Sequence, residues 1–137
     1  MKANELMIGD WVLYNGKPIQ VDEIFGDGIN ADYCGGEIMG LINEDELLPI
    51  PLTAEILKKN GFEICNEDTD GTIQYDWGSP ALGIDIWINT KPCLFGAWRT
   101  WEGETKSYTM VEELPINYVH ELQHALKLCG IEKEITI

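Results

Sequence analysis

The chain carries one run whose residue types and spacing match a catalytic device: His120-Glu121-Leu122-Gln123-His124. On a helix, two histidines four apart stand one turn apart, and a glutamate between them can take a proton from a metal-bound water, as in zinc hydrolases. Catalytic zinc also needs a third protein ligand and a walled site around the water it activates. Read at about 100° per residue, Val119, Leu122, Ala125, Leu126 and Cys129 fill one arc of that helix, while His120, Gln123, His124 and Lys127 fill the opposite one. The pattern therefore places both imidazoles on a wet face. Only thirteen residues follow His124 and none is histidine. Glu132, Glu134 and the remote Asp76 are the candidate third ligands, and none has a zinc-family spacing. The expectation is two surface histidines; His120 and His124 as metal ligands with Glu121 as base is the minority reading, and no zinc cofactor is expected.

A second run, Asn66 to Ile73, copies the first eight positions of a calcium loop, with oxygen-bearing residues at alternate positions and Gly71 at the bend. The twelfth position, where a bidentate glutamate would close the shell, is Trp77, so a polar hairpin turn is expected and calcium is not. No Gly-x-Ser-x-Gly elbow occurs, and Ser79 and Ser107 have no base beside them in a motif. Gly26-Asp27-Gly28 leads into a strand and carries the wrong charge to cradle phosphate. Four of the five tryptophans, Trp77, Trp87, Trp98 and Trp101, crowd into one stretch of strands. They cannot all face one helix, so one or two are expected on an outer face. Trp87, Trp98 and Trp101 are the candidates for a surface that binds a sugar, a peptide or a protein, against core packing as the competing account.

The elements that hold these residues read as follows. Residues 10–15 and 18–25 flank Asn15-Gly16-Lys17, a type I′ hairpin signal, with Ile19 and Val21 alternating against Gln20 and Asp22. A second hairpin, 29–33 against 37–42, turns at Gly35-Gly36, and residues 46–50 supply a short last strand. Five short strands in fifty residues predict a small SH3-like barrel. Pro49-Ile50-Pro51 stiffens its exit. Thr53 then caps a helix over residues 54–60 that Gly61-Phe62 stops. From Phe62 the text is an antiparallel meander, with strands at 62–65, 72–77, 83–88, 93–101 and 106–110, in which Ile84, Ile86 and Ile88 point one way and Asp85 and Trp87 the other. An amphipathic helix from about Pro115 to Cys129 ends at Gly130 and covers one face of that sheet. The predicted fold class is α+β, with an SH3-like β-barrel over residues 1–50 and an α+β unit over residues 51–137.

The formal charge is −15, with ten acids and two lysines in residues 1–50 and fourteen acids and seven bases after them. Such a field repels phosphate backbones, so direct nucleic-acid binding is not expected, whereas a basic protein partner is attracted. Gly9 and Asp10 interrupt Leu6-Met7-Ile8, which leaves no signal peptide or transmembrane run in this sequence and makes the cytosol the default address. Cys34, Cys65, Cys93 and Cys129 lie about thirty residues apart with no Cys-x-x-Cys pair, so reduced, mostly packed thiols are expected.

The opening Met1-Lys2-x-x-Glu5-Leu6-x-Ile8-Gly9-Asp10-Trp11-Val12, the joint Pro49-Ile50-Pro51-Leu52-Thr53-x-Glu55-x-Leu57 with Gly61-Phe62, and the closing Tyr118-Val119-His120-x-Leu122-Gln123 resemble a group of short proteins of gut anaerobic bacteria. Members of that group are encoded near phage or mobile-element genes and have no established activity. The resemblance covers both ends and the joint but not residues 63–113, and it implies a setting rather than a chemistry. Three functions follow in order: a non-catalytic binding or accessory protein, an acidic decoy that imitates DNA for a basic nucleic-acid-binding protein, and a zinc-dependent hydrolase.

Overall fold

The structure, a computed structural model, describes every residue except 34–36, 80, 90–91 and 101–106. The turn expected at Gly35-Gly36 and the connection between the expected strands 93–101 and 106–110 lie outside the described residues, as do Cys34 and Trp101. Two antiparallel five-stranded sheets and two short helices make the chain α+β. It divides into two compact units. The first holds residues 1–51, 118–124 and 137, and the second holds residues 52–117 and 125–136.

In the first unit, β1 (Trp11–Tyr14) and β2 (Lys17–Ile24) join at Asn15-Gly16. Their φ angles of 49° and 74° are the left-handed pair that a type I′ turn requires. β3 (Gly28–Tyr33) and β4 (Glu37–Asn43) follow, then a 3-10 turn at Glu44–Glu46 that Asn43 caps, and β5 (Leu47–Pro49). The sheet order is β4-β3-β2-β1-β5. The predicted barrel is therefore an open sheet: among the described residues, β4 and β5 stand at opposite edges with no ladder between them. β5 is only three residues long, pairs Leu47, Leu48 and Pro49 with Tyr14, Leu13 and Val12 along one edge, and ends on a proline with no N–H, which leaves little ladder for a second partner. Leu6, Val12, Ile19, Val21, Ile29, Ala31, Ile42 and Leu47 form the buried cluster beneath it.

The second unit opens with α1 (Ala54–Lys59), capped by the Thr53 hydroxyl, which accepts from the Ile56 amide at 3.3 Å. Gly61, at φ 83°, ends it in a Schellman pair, Phe62 N–H to the Leu57 carbonyl at 3.0 Å and Gly61 N–H to that of Lys58 at 3.1 Å. The meander is β6 (Glu63–Glu67), β7 (Ile73–Ser79), β8 (Leu82–Ile88), β9 (Cys93–Thr100) and β10 (Ser107–Ile116), each strand paired with its sequence neighbour. β10 runs six residues past the expected end at Met110. Of two register shifts, one passes over Met110 and the other, with Glu113 at φ 50°, absorbs the acidic pair Glu112-Glu113 and returns Leu114, Pro115 and Ile116 to the ladder opposite Phe95, Leu94 and Cys93. That extension delays α2 (Val119–Leu128), which starts four residues later than the predicted Pro115.

All five residues of the predicted apolar arc of α2 are buried. Among the free cysteines, Cys129 is buried, Cys93 half-buried and Cys65 exposed, so the expectation of mostly packed thiols fails at Cys65, on edge strand β6. No described helix is long and apolar enough to cross a membrane.

Candidate functional site

The first two turns of α2 carry the His-Glu-x-x-His residues, and they meet the segment before β1. Gly9 adopts φ 92° in a turn whose ends are tied by Gly9 N–H to the Val21 carbonyl at 2.7 Å and by Val21 N–H to the Asp10 carbonyl at 2.8 Å. Gln123 reads this turn from the helix side: its amide nitrogen donates to the Gly9 carbonyl at 2.9 Å and its oxygen accepts from the Trp11 amide at 3.0 Å. One turn position on, His124 Nε2 lies 2.6 Å from Asp10 Oδ2, which also accepts from the Met7 amide at 2.7 Å. Asp10 is fully buried, and among the described residues its second oxygen has no partner. The two motifs that open and close the chain, 114 residues apart, thus form one hydrogen-bonded cluster.

His120 corrects the sequence reading most sharply, for the wet face predicted for both imidazoles is covered. The His120 residue is 6% exposed, its ring stacks on Tyr118 at 5.9 Å and 9°, and it meets His124 edge-on at 5.6 Å. Its Nδ1 is buried without a partner among the described residues. Burial pushes the His120 pKa below its ordinary value; Asp10 and Glu121 oppose that shift, and His124 adds to it. The ring is accordingly neutral at pH 7. His124 is half-buried, so the helix has one solvent-facing side fewer than its sequence pattern suggests.

The remaining motif residue, Glu121, accepts from the Tyr118 amide at 3.2 Å, the bond by which a glutamate in the first turn caps its helix. One oxygen of its carboxylate and the His124 Nε2 are thus engaged in holding the helix and its turn, where a zinc hydrolase would use such a glutamate as base and such a nitrogen as ligand. Among the described residues, no three His, Cys, Asp or Glu side chains are grouped so as to hold a metal ion. Glu132 and Glu134, proposed above as third ligands, are exposed on the C-terminal segment. An open cleft of about 550 Å³ is lined by Met1, Glu5, Pro49, Tyr118, His120, Glu121 and His124.

The calcium-like run is the β6–β7 hairpin turn. Its oxygens bond within the turn: Asp70 accepts from the Thr72 amide at 2.9 Å, Asp68 from the Asn66 side chain at 3.0 Å, and the Asp68 carbonyl from the Gly71 amide at 3.1 Å. The Thr72 amide holds the Asp70 carboxyl below the usual carboxylate range.

The tryptophans divide between the faces of the second sheet. Trp77 pairs with Ile84 on the buried face, where it contacts Phe62 at 6.5 Å and lies 4.5 Å from the Lys133 ammonium. Trp87 and Trp98 share the other face with Asp85, because Gly83 pairs with Trp98 and Trp87 with Leu94. Each half-buried indole lies over a glycine of the neighbouring strand. Trp98 covers Gly83 so closely that a Cβ there would collide with its ring, and Trp87 approaches the Cβ position of Gly96 at 3.3 Å. Asp76 stands directly opposite Asp85 on the same face. Two carboxylates facing each other across a ladder destabilise a sheet. Asp85, which accepts from Gln74 at 3.2 Å, is pushed upward in pKa by burial and by Asp76.

The fold and site define an α+β protein of two antiparallel sheets, with an Asp-His cluster in one unit and an aromatic, acidic sheet face in the other. No family model, no curated protein and no solved structure matches the chain.

Proposed function

We propose that this chain is a non-catalytic binding protein, of phage or mobile-element origin, that docks a basic protein partner. The observation that carries this reading is the opposed pair Asp76 and Asp85, flanked by the indoles of Trp87 and Trp98 on one sheet face. An arginine or lysine seated there meets carboxylates and ring faces together, and its charge relieves the repulsion between the two acids. The net charge of −15 adds long-range attraction for such a partner. Zinc chemistry at the His-Glu-x-x-His run stays the minority reading, since Glu121 and His124 already serve as helix cap and ion-pair partner. The SH3-like strand succession of the first unit suits a binding module as well. A DNA-mimic decoy is a special case of this reading, distinguished by a partner that gives up DNA on binding.

Affinity capture from the native cell with wild-type protein and a Trp98→Ala, Asp85→Asn variant tests the proposal. The expected result is a basic chain that co-purifies with wild type, is released by raised salt and is lost with the variant. A partner retained equally by the variant, or captured protein that carries stoichiometric zinc and hydrolytic activity, would overturn it.

A further inference from the structure

The histidine cleft of the first unit is not used by the docking face proposed above. Its lining sets what it can hold. Glu5 and Glu121 supply two carboxylates, the stacked Tyr118 and His120 supply flat rings, and Met1 and Pro49 are its apolar residues. His120 is neutral because it is buried, and any proton on His124 is matched by the Asp10 carboxylate 2.6 Å away. The Met1 ammonium, which donates to the Glu44 carbonyl at 3.5 Å, sets one positive charge against the two carboxylates. The wall therefore remains net negative, and one of its lining residues carries a buried nitrogen, His120 Nδ1, with no partner among the described residues. At about 550 Å³ the cleft falls in the range of small-molecule sites, roughly 300–1,000 Å³.

We propose that this cleft binds a small organic cation, a guanidinium or ammonium group on a ligand of amino-acid size, between Glu5, Glu121 and the Tyr118–His120 stack. A planar guanidinium matches both parts of the wall: it forks onto carboxylates and stacks on rings. The group could reach the cleft as a free metabolite or as a side chain at the tip of a bound peptide, and both present the same charge to the same residues.

Titration of the protein with agmatine, and separately with an arginine-containing tripeptide, followed by ring ¹⁵N and ¹H shifts of the two histidines and by the indole shifts of Trp87 and Trp98, tests this. Saturable shifts at His120 and His124 are expected, with N-acetyl-citrulline methylamide at least tenfold weaker than N-acetyl-arginine methylamide. Glu5→Gln removes one charge from an exposed position while keeping its cap to the Lys2 amide, and should weaken agmatine about tenfold. Saturation by agmatine alone assigns a free metabolite, and saturation by the tripeptide with agmatine far weaker assigns a peptide source. Equal binding of the neutral analogue, an unchanged affinity in Glu5→Gln, or shifts confined to Trp87 and Trp98 would overturn the cleft as a cation site. The last of these would leave the docking face proposed above intact, and Trp98→Ala, which alters that face alone, should leave agmatine binding unchanged.

Discussion

The clearest prediction concerns the pair that ties α2 to the first strand. Truncating Asp10 to alanine removes a charge-assisted bond to His124 and leaves the Met7 amide without its acceptor. A bond of the first kind contributes about 1.5–3 kcal/mol, and orphaning an amide costs about 1–3 kcal/mol when it is buried, toward the lower end for the part-buried Met7 amide. Against these stands a gain, because the buried carboxylate with its unpartnered second oxygen disappears. The net expectation for Asp10→Ala is a loss of roughly 2–4 kcal/mol. Asp10→Asn keeps an oxygen for Met7 and should cost roughly 1 kcal/mol. His124→Ala leaves the Asp10 carboxylate buried with one partner fewer, and should cost about 2–3 kcal/mol, less than a fully enclosed pair because the His124 side chain is 24% exposed.

Urea unfolding followed by far-ultraviolet circular dichroism and by tryptophan emission gives these values, provided the two transitions coincide. The decisive quantity is the coupling in the Asp10→Ala, His124→Ala cycle, expected at about 1.5–3 kcal/mol with the double variant less damaged than the sum of the singles. A coupling below about 0.5 kcal/mol would refute the ion-pair argument, since independent sites add to within that margin. Dialysis against a chelator supplies the second arm. If it lowered the melting temperature of wild type and not of His124→Ala, the histidines would be metal ligands and the pair with Asp10 secondary.

Three further outcomes follow from single contacts. Gly83→Ala should displace the Trp98 indole, red-shift tryptophan emission and cost about 1–3 kcal/mol in unfolding experiments, because the new Cβ occupies the ring's position. Asn60→Ala should cost about 2–3 kcal/mol by the same measurement, since the buried Asn60 amide makes three bonds at 2.8 Å, to the Ile56 carbonyl and to the Thr136 carbonyl and amide. His120, whose folded pKa is depressed by burial, protonates first in the unfolded chain, where its pKa is about 6.5. Its contribution to stability is therefore present above that value and lost as pH falls below it, by at most about 1.4 kcal/mol per pH unit. The urea midpoint should drop between pH 7.5 and 5.5 in wild type and drop less in His120→Gln.

What could be read from the sequence is what neighbouring residues decide. Asn15-Gly16 and Gly61-Phe62 fix their turns through backbone angles that few other residues adopt, so the hairpin and the helix stop lie where they were predicted. The meander order follows from short turns between strands, and alternation alone separated Ile84, Ile86 and Ile88 from Asp85 and Trp87. The extent of β10 escaped because Glu112, Glu113 and Pro115 look like the end of a strand, whereas bulges keep the ladder going past them.

The site escaped for a different reason. A helical wheel ranks faces by polarity, and it ranked the arc through Val119, Leu122 and Ala125 correctly as the greasiest. It says nothing about how many faces are covered. A polar face can be buried if each donor and acceptor on it finds a partner, and here Gln123 and His124 find theirs on Gly9, Trp11 and Asp10, more than a hundred residues away in sequence. Asp10 gave no signal by itself, being one acid at the mouth of an apolar strand. Its meaning comes from the contrast with its surroundings: a carboxylate held at zero exposure is costly unless something opposite repays it. The imidazole of His124 does so, and that demand explains a histidine at this position without any metal chemistry. His120 has no such explanation, since its Nδ1 finds no partner among the described residues, and the residue lines the cleft proposed above to hold a cation.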